Sequence, residues 1–399
     1  MIKKYFNAFS ANRRTRRYQR DTLKAMQMLW SEVKIPEVGY GNDPHSKTIE
    51  MHWPTAYSLF LTTLTTKASI KHFKQQNAFI DTNILTNHIV KWLLKHQRCE
   101  STELPVWTLP YQRKIWLDVL PCKQNTGFNV PTVHGIHAMC DISDIKDETR
   151  EMCIKSALIA ATSWDKNCST VINGEKIYWY STLRNHSFHV TNAISLMAGA
   201  IQRASHYSKQ VNLNAEISTD QAILYLLNCK RSDIELPTWD YFGREYPSNK
   251  NNRNNDLLHE AFVCDGLFNY KKFGGNLGSS INYNDLILML LKFCRNDKIY
   301  DFPISEANAK RKQNPARGIG LAHALYIICE IHRESKCQMS LDLAHKLFAE
   351  IKKKIICNGK ILLRENGDSI SSFIRTRAHI ILAISKYYDL TCSLKRVIN

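Results

Sequence analysis

Stretch after stretch of this 399-residue chain places apolar residues three and four apart, and strand-like alternation is rare and short. Between about Thr15 and Val33, Leu23, Met26 and Trp30 share one side of a helix and Arg and Lys the other. Helical stretches also open at His52-Trp53-Pro54-Thr55 and Val130–His137. Others fill about Ile80–His96, Glu148–Trp164, Thr219–Cys229, Asp256–Val263, Tyr283–Cys294, Gly318–Glu334, Leu341–Ile356 and Ser371–Tyr388. Leu104–Pro121 carries three prolines and is irregular, and Cys264-Asp265-Gly266 reads as a turn followed by a short extended piece up to Tyr270. The pattern implies an all-α chain of a dozen or so helices with few or no strands, as a single domain over residues 1–399.

Two turns look alike. Asn173-Gly174-Glu175-Lys176-Ile177 precedes the segment with Asn185 and His186, and Asn358-Gly359-Lys360-Ile361 precedes the helix with Arg375, Arg377 and His379. In both, a helix ends, an Asn-Gly turn follows, and an amphipathic helix opens on basic residues and His. Helical hairpins repeated around a ring make an α/α toroid, an incomplete barrel in which each pair buries its apolar faces on its neighbours. The helix openings then converge on a central hollow. A polar loop over about 232–255, with Trp239, Tyr241, Tyr246 and the run SNKNNRNN, is long enough to cover such a cleft.

Charge narrows the partner. The chain has 54 Lys and Arg against 36 Asp and Glu, a net +18, which suits nucleic acid, an anionic membrane surface or a polyanionic sugar, or simply solubility. Arg13, Arg14, Arg16, Arg17 and Arg20 either touch an anion or form the solvated first turns of a helix. No helix-turn-helix, zinc finger or RNA-binding signature is present, so nucleic acid is not the expected partner. Twelve cysteines are scattered singly, unlike a disulfide framework or zinc ribbon. With no apolar run of signal-peptide or membrane-span length, the expectation is a cytoplasmic protein with reduced thiols and no membrane contact, export by an unconventional route being the alternative.

The polar groups gather at helix openings. Tyr178–Arg203 is the clearest case: Tyr178-Trp179-Tyr180 leads into Arg184-Asn185-His186-Ser187-Phe188-His189, and an apolar helix follows. The other candidate openings carry His52 with Trp53, His134 with His137, His259 with Glu260, Arg317 with His323, and Arg375 and Arg377 with His379. Helix N-termini favour anions, so a ring of such openings would form an electropositive cup. Each has a structural alternative. His186/His189 and His134/His137 share a face at i, i+3, yet no third metal ligand is evident, and neither a metal nor another cofactor is expected. Glu260 and Asp265 are either a carboxylate pair for glycoside hydrolysis or a helix and a turn residue. Trp53, Trp107, Trp179 and Trp239 are either sugar-stacking platforms or core.

Arg184-Asn185-His186-Ser187-Phe188 resembles the Asn-His-Ser-aromatic segment of alginate lyases of the α/α-toroid fold, where it begins an inner helix and supplies catalytic Asn and His. Asp265-Gly266-Leu267-Phe268 through Gly274-Gly275-Asn276-Leu277-Gly278 is similar to a segment of the hyaluronate, chondroitin and xanthan lyases, with Leu277 standing where that family has its catalytic Tyr. The resemblance implies a polysaccharide lyase that cleaves an acidic, uronate-containing polysaccharide by β-elimination. Such an enzyme must neutralise the substrate carboxylate, take the neighbouring proton and return one to the leaving oxygen. Asn185 and Arg184 would neutralise, His186 would be the base, and Tyr180, Tyr270 or Tyr283 the acid. Arg317, Arg375 and Arg377 would hold neighbouring anionic groups. His134, His137, His189, His259, Glu260, Trp53 and Trp179 would contact substrate. A glycoside hydrolase on the same toroid, a non-catalytic binder of polyanions or glycans, and an apolar terpene-cyclase-like toroid are the competing readings.

Overall fold

Thirteen α-helices account for most of the described residues of the computed structural model: Ile2–Trp30 (α1), Pro54–Leu64 (α2), Lys67–Gln75 (α3), Thr82–Lys95 (α4), Asn129–Asp141 (α5), Asp147–Asn167 (α6), Thr191–Gln210 (α7), Asp220–Cys229 (α8), Leu257–Lys272 (α9), Tyr283–Leu291 (α10), Gly318–Ser335 (α11), Gln338–Ile355 (α12) and Ile374–Ile398 (α13). Residues 2–43, 49–75, 81–112, 122–142, 147–213, 217–231, 238–243, 255–296, 298–303, 314–357, 360–361, 364–365, 368–369 and 373–398 are described, with side chains omitted at 2–14, 75, 147–148, 355–369 and 395–398.

Two kinds of helix make two layers. In α2 every residue is buried, and in α5 all but Val130 and Asp141 are. Helices buried on all sides must sit inside a larger assembly. By contrast, α12 buries Leu343, Leu347, Phe348 and Ile351 along one stripe and carries Lys352, Lys353 and Lys354 in its last turn. Helices α2, α5, α7, α9, α11 and α13 pack each on the next, and α13 packs back on α2. Outside them, α4 backs α2, α6 lies over α5 and α7, α8 over α7, α10 over α9 and α11, α12 over α11 and α13, and α1 with α3 over α13. This is the α/α toroid that the sequence implies, with its inner ring closed. The β-structure among the described residues is confined to two-stranded pairs and isolated bridges.

Each outer helix returns the chain, so the inner helices run in parallel and their N-termini share one end, the mouth. Backbone hydrogen bonds stitch that end together. Asn129 N–H donates to the Tyr180 carbonyl, Thr191 to Tyr241, Leu257 to Asp301 and Ile374 to Asn42, each at 2.8–3.2 Å. Local chemistry sets where helices begin: Pro54 occupies the first turn of α2, and Asp81, Asp256 and Asn282 cap α4, α9 and α10 with side-chain oxygens.

The Asn173-Gly174 turn is present as a tight hairpin joining Ser169–Ile172 to Glu175–Tyr178, with φ of +52° and +81° at its two central residues. Asn358 and Gly359 lie outside the described residues, but Lys360 pairs with Cys357 and Ile361 with Ile356 on either side of them.

Two local readings are corrected. Asp265-Gly266 is not a turn, and no extended piece follows; both lie inside α9. Gly266 is there because α9 crosses α7 at Gly199: a Cβ on Gly199 would sit 2.8 Å from Gly266 Cα. In the polar loop expected over 232–255, residues 232–237 and 244–254 lie outside the described residues. Thr238–Gly243 is laid down as part of the wall. Trp239 and Phe242 are buried, Val190 bridges to Phe242, and Gly243 N–H donates to the His189 carbonyl at 2.7 Å.

Candidate functional site

The inner helices present their axial side chains in layers. Counting the first helical residue as one, the sixth is Leu59, His134, Leu196, Phe262, His323 and His379. The ninth is Thr62, His137, Gly199, Asp265, Tyr326 and Leu382, and the thirteenth in α5, α7, α9, α11 and α13 is Asp141, Arg203, Asn269, Glu330 and Lys386. These positions follow the i, i+3, i+7 stripe of each helix. In the upper layer three imidazoles meet edge to face, with ring centres 6.1 Å (His134–His323), 5.3 Å (His134–His379) and 5.7 Å (His323–His379) apart. His323 Nε2 bonds Asp265 Oδ2 at 3.0 Å, and Asn269 Nδ2 donates to Asp265 Oδ1 at 2.6 Å. Below, Arg203 pairs with Asp141, and Glu330 with Lys386 at 3.2 Å.

Burial sets the charges. Desolvation pushes His134 down to about 3 and His137 to about 4, helped by the neighbouring His323 and Arg203 respectively. His379 is likewise held well below its ordinary value by burial, then by His134 and His323. Burial is the largest influence on Asp265 and opposes its ionisation, but the hydrogen bond from His323 and the neighbouring imidazoles His323, His137 and His134 together outweigh it, and the carboxyl lies below its ordinary value. An Arg only donates, so His137 Nδ1, 3.3 Å from Arg203 Nη1, accepts, and neutral His137 carries its proton on Nε2. That Nε2 and His134 Nε2 are buried with no partner among the described residues. They line an axial space of about 10 Å³, which holds about one water and no sugar ring. The axis is therefore a packed polar core, and the accessible chemistry lies at the mouth above it.

Several expected residues stand at that mouth. Tyr180 lies at the start of α5 through its hydrogen bond with Asn129, and Arg184 and Asn185 follow as exposed residues of a short 3₁₀ turn before α7. Tyr241, at the start of α7, packs edge-on against His259 at the start of α9, ring centres 4.9 Å apart. His259 Nδ1 is 2.8 Å from Asp256 Oδ1. Arg317, at the start of α11, bonds both Asp256 and, through Nε at 2.7 Å, Asp301. Arg375, at the start of α13, pairs with Asp43 at 2.9 Å and lies over Trp53. The cup is thus not a ring of bare positive charge, because Arg317, Arg375 and Arg377 each meet a carboxylate.

Others are placed differently from the sequence reading. His186 is fully buried, with Ser181 Oγ 2.6 Å from its Nδ1 and Cys122 Sγ beside the ring, so dry packing holds the residue expected to be the base. His189 bonds the Tyr225 hydroxyl of outer helix α8 at 3.0 Å. Glu260 faces outward to Lys292, Thr238 and Asn255. It cannot share a sugar with Asp265, which is held on the axis by His323. Tyr270 and Tyr283 lie at the closed end, the first bonded to Asp220 and the second opening outer helix α10, so neither reaches a substrate at the mouth. Trp53, Trp107 and Trp239 are core, each donating its indole N–H to a backbone carbonyl, and half-buried Trp179 donates to Thr170. Arg377 is buried against Glu32, and His134 and His137 belong to the axial network.

Sequence reasoning missed Asp256, Asp301, Asn192 and Arg203. Asn192 is 2% exposed, its Nδ2 without a hydrogen-bond partner among the described residues, on the same stripe of α7 as Gly199 and Arg203. A polar residue recurring on an apolar stripe, as at 192 and 203, is the signal that marks them. Glu260 supplies a direct test. Lys292→Met leaves a fully buried carboxylate without its cation, so a loss of about 3 kcal/mol or more is expected in urea unfolding, with Glu260→Met/Lys292→Met losing much less. Equal losses in the two proteins would refute the pairing.

No protein-family model matches the sequence, and no curated protein resembles it significantly. The fold, however, recurs among solved structures of carbohydrate-active enzymes. It is similar to a cellobiose 2-epimerase from Bacillus thermoamylovorans (TM-score 0.59, 9% identity, 94% of this chain and 100% of that one). It is also similar to a glycosyl hydrolase of family 88 from Bacteroides vulgatus (0.58, 10%, 93% and 99%) and to a polysaccharide lyase (0.53, 10%, 94% and 98%). At such identities the likeness establishes the architecture, an α/α toroid spanning nearly the whole chain. Among the described residues no helix is long and apolar enough to cross a membrane, and no group of three or more His, Cys, Asp or Glu is arranged to hold a metal ion.

Proposed function

We propose that this chain is a carbohydrate-processing enzyme that cleaves an acidic, uronate-containing polysaccharide by β-elimination at the mouth of the toroid. The observation that carries the reading is the Asp256–His259 pair beside Tyr241. Asp256 accepts from His259 Nδ1, which leaves Nε2, with no hydrogen bond among the described residues, as the basic nitrogen at the open end. His259 takes the proton from the carbon that bears the carboxylate. The electron pair forms the new double bond, and the glycosidic oxygen leaves with a proton from Tyr241 or Tyr180. Arg184 and Asn185, both exposed, face the carboxylate and stabilise the enolate charge. The similar lyase and hydrolase, which by name act on carbohydrates, support the substrate class.

One observation favours hydrolysis instead. Asp256 and Asp301 share Arg317, yet burial raises Asp301 above its ordinary value, while His259 and Arg317 outweigh burial and depress Asp256. Two carboxyls driven apart in this way suit an acid and a base. Incubation with a panel of uronate polymers separates the readings: elimination gives products that absorb as unsaturated uronates, hydrolysis gives saturated ones. His259→Gln is expected to lower the rate of unsaturated product by about 10²-fold or more with its urea midpoint unchanged. Full activity in that variant, or saturated products from the wild type, overturns the lyase reading; salt-sensitive binding without turnover on any polymer overturns both.

A further inference from the structure

At the mouth Arg317 and Arg375 are met by carboxylates; on the outer surface of α1, among the described residues, Arg16 and Lys24 are not. A groove of about 390 Å³ runs between α1 and α3, lined by Arg16, Arg20, Lys24 and Lys71 with Gln19 and Gln27, and no carboxylate lines it. Arg16 and Lys24 have no ion-pair or hydrogen-bond partner among the described residues, whereas Arg317 and Arg375 at the mouth each have one. Arg16, Arg20 and Lys24 are four residues apart on one helix, so their charges repeat about every 6 Å along its axis. On the other flank of α1 a second groove of about 440 Å³ carries Arg17 and Lys353, while Asp21 there is taken up by Lys352 at 2.6 Å. Arg20 meets Asp21 only at 4.0 Å, a carboxylate already held by Lys352, and Lys71 bonds the Tyr388 hydroxyl at 3.0 Å. Cations repeating along α1 with so little counter-charge suit a linear polyanion better than a single small anion.

Two macromolecular partners are disfavoured. Single-stranded nucleic acid needs free aromatic faces for base stacking. The aromatics here are engaged, Tyr18 stacked on His345 at 4.8 Å and His72 buried beside Trp30. A lipid surface needs exposed apolar side chains to insert. The α1–α3 groove offers only half-buried Leu23. We infer that the α1 face, spanning Arg16, Arg17, Arg20, Lys24 and Lys71, is a second docking site that holds a carboxylate- or sulfate-bearing polysaccharide outside the mouth. The choice of a glycan over other polyanions rests on the function proposed above. The site would keep a long chain on the enzyme between cleavage events by raising its local concentration.

The test compares Arg16→Gln/Arg20→Gln/Lys24→Gln with Lys155→Gln/Lys166→Gln/Lys209→Gln, which removes the same charge from exposed positions on α6 and α7. Binding to a size-defined heparin oligosaccharide, to polygalacturonate and to a single-stranded oligonucleotide is measured over a salt series. The α1 variant is expected to bind the glycans about tenfold more weakly at 0.15 M salt with a shallower salt dependence, and the α6/α7 variant to bind as the wild type does. Equal binding by all three proteins, equal losses in both variants, or tighter binding of the oligonucleotide overturns the site. His259→Gln separates this inference from the proposed activity: it should retain glycan binding. A wild type that turns over no polymer but binds glycan through α1 would sink the activity and leave the docking site standing.

Discussion

Gly266→Ala is expected to leave little or no folded protein. The glycine sits inside α9, where isolated helix propensity would favour alanine by about 1 kcal/mol. Packing reverses that preference. A new Cβ would overlap the carbonyl and the Oγ of Ser195 on α7, and Ser195 Oγ already donates to the Val263 carbonyl at 2.8 Å. The obstruction is main chain of a neighbouring inner helix, which no rotamer change can move. Relief requires α7 and α9 to separate at their closest approach, and in a closed ring a shift of one pair is passed to the next. A loss of about 3 kcal/mol or more is expected, at or above the upper end for overpacking. Gly278→Ala is the control: its Cβ would meet Lys271 Cα at an ordinary 3.5 Å, so it should unfold at the wild-type urea concentration. Soluble yield and urea midpoints of the two variants decide the matter, and wild-type stability for Gly266→Ala would disprove the crossing.

The same residue shows where sequence reasoning stopped. Asp265-Gly266 has the local chemistry of a turn, and nothing nearby reveals that the glycine is required by Gly199, 67 positions upstream in the chain. Asn173-Gly174 was legible because its demand is local: two consecutive residues at positive φ close the hairpin. Helical periodicity identified most helices, and the repeated turn pointed to the toroid, since both follow from patterns a few residues long. Closure of the ring by α13 on α2 depends on contacts across the whole chain.

The gathering of polar residues at helix openings was legible in part: Tyr180, Arg184, Asn185, His259, Arg317 and Arg375 stand at the mouth end, whereas Tyr270 and Tyr283 do not. Which of them is free was not legible, because that depends on carboxylates distant in sequence. Arg375 finds Asp43, Arg377 finds Glu32, and Arg317 finds Asp301. Nor did spacing reveal that His186 would be packed against Cys122 and Ser181 while His259 gained Asp256 as its orienting partner. Asp256 escaped notice because a helix-capping Asp looks the same in sequence whether or not it also meets a His and an Arg.

Stability should fall steeply as pH drops from 7 to 5, before any depressed carboxylate titrates. His134 and His137 stay neutral in the fold down to about 3 and about 4, since burial excludes their charged forms. In the unfolded chain both regain the ordinary value near 6.5. Between these limits the unfolded state binds more protons than the folded one, so unfolding free energy decreases as pH falls. At pH 5 each histidine contributes a loss of about 2 kcal/mol, or about 4 kcal/mol for the pair. His379, lowered by the same burial, acts in the same direction. Groups facing this layer do not offset the loss. Arg203 and Arg375 repel a new positive charge, and Asp265 is already bonded to His323. Below about pH 4 a second loss begins, as the unfolded chain takes up protons that Asp141, Asp265 and Glu330, all depressed by neighbouring cations or imidazoles despite burial, still exclude. Urea unfolding at pH 7 and pH 5 measures the first loss, and His134→Leu should shrink the difference between the two by about 2 kcal/mol. If the variant and the wild type lose the same stability over that interval, His134 is accessible to protons in the fold, and the axis is not the sealed, packed core described above.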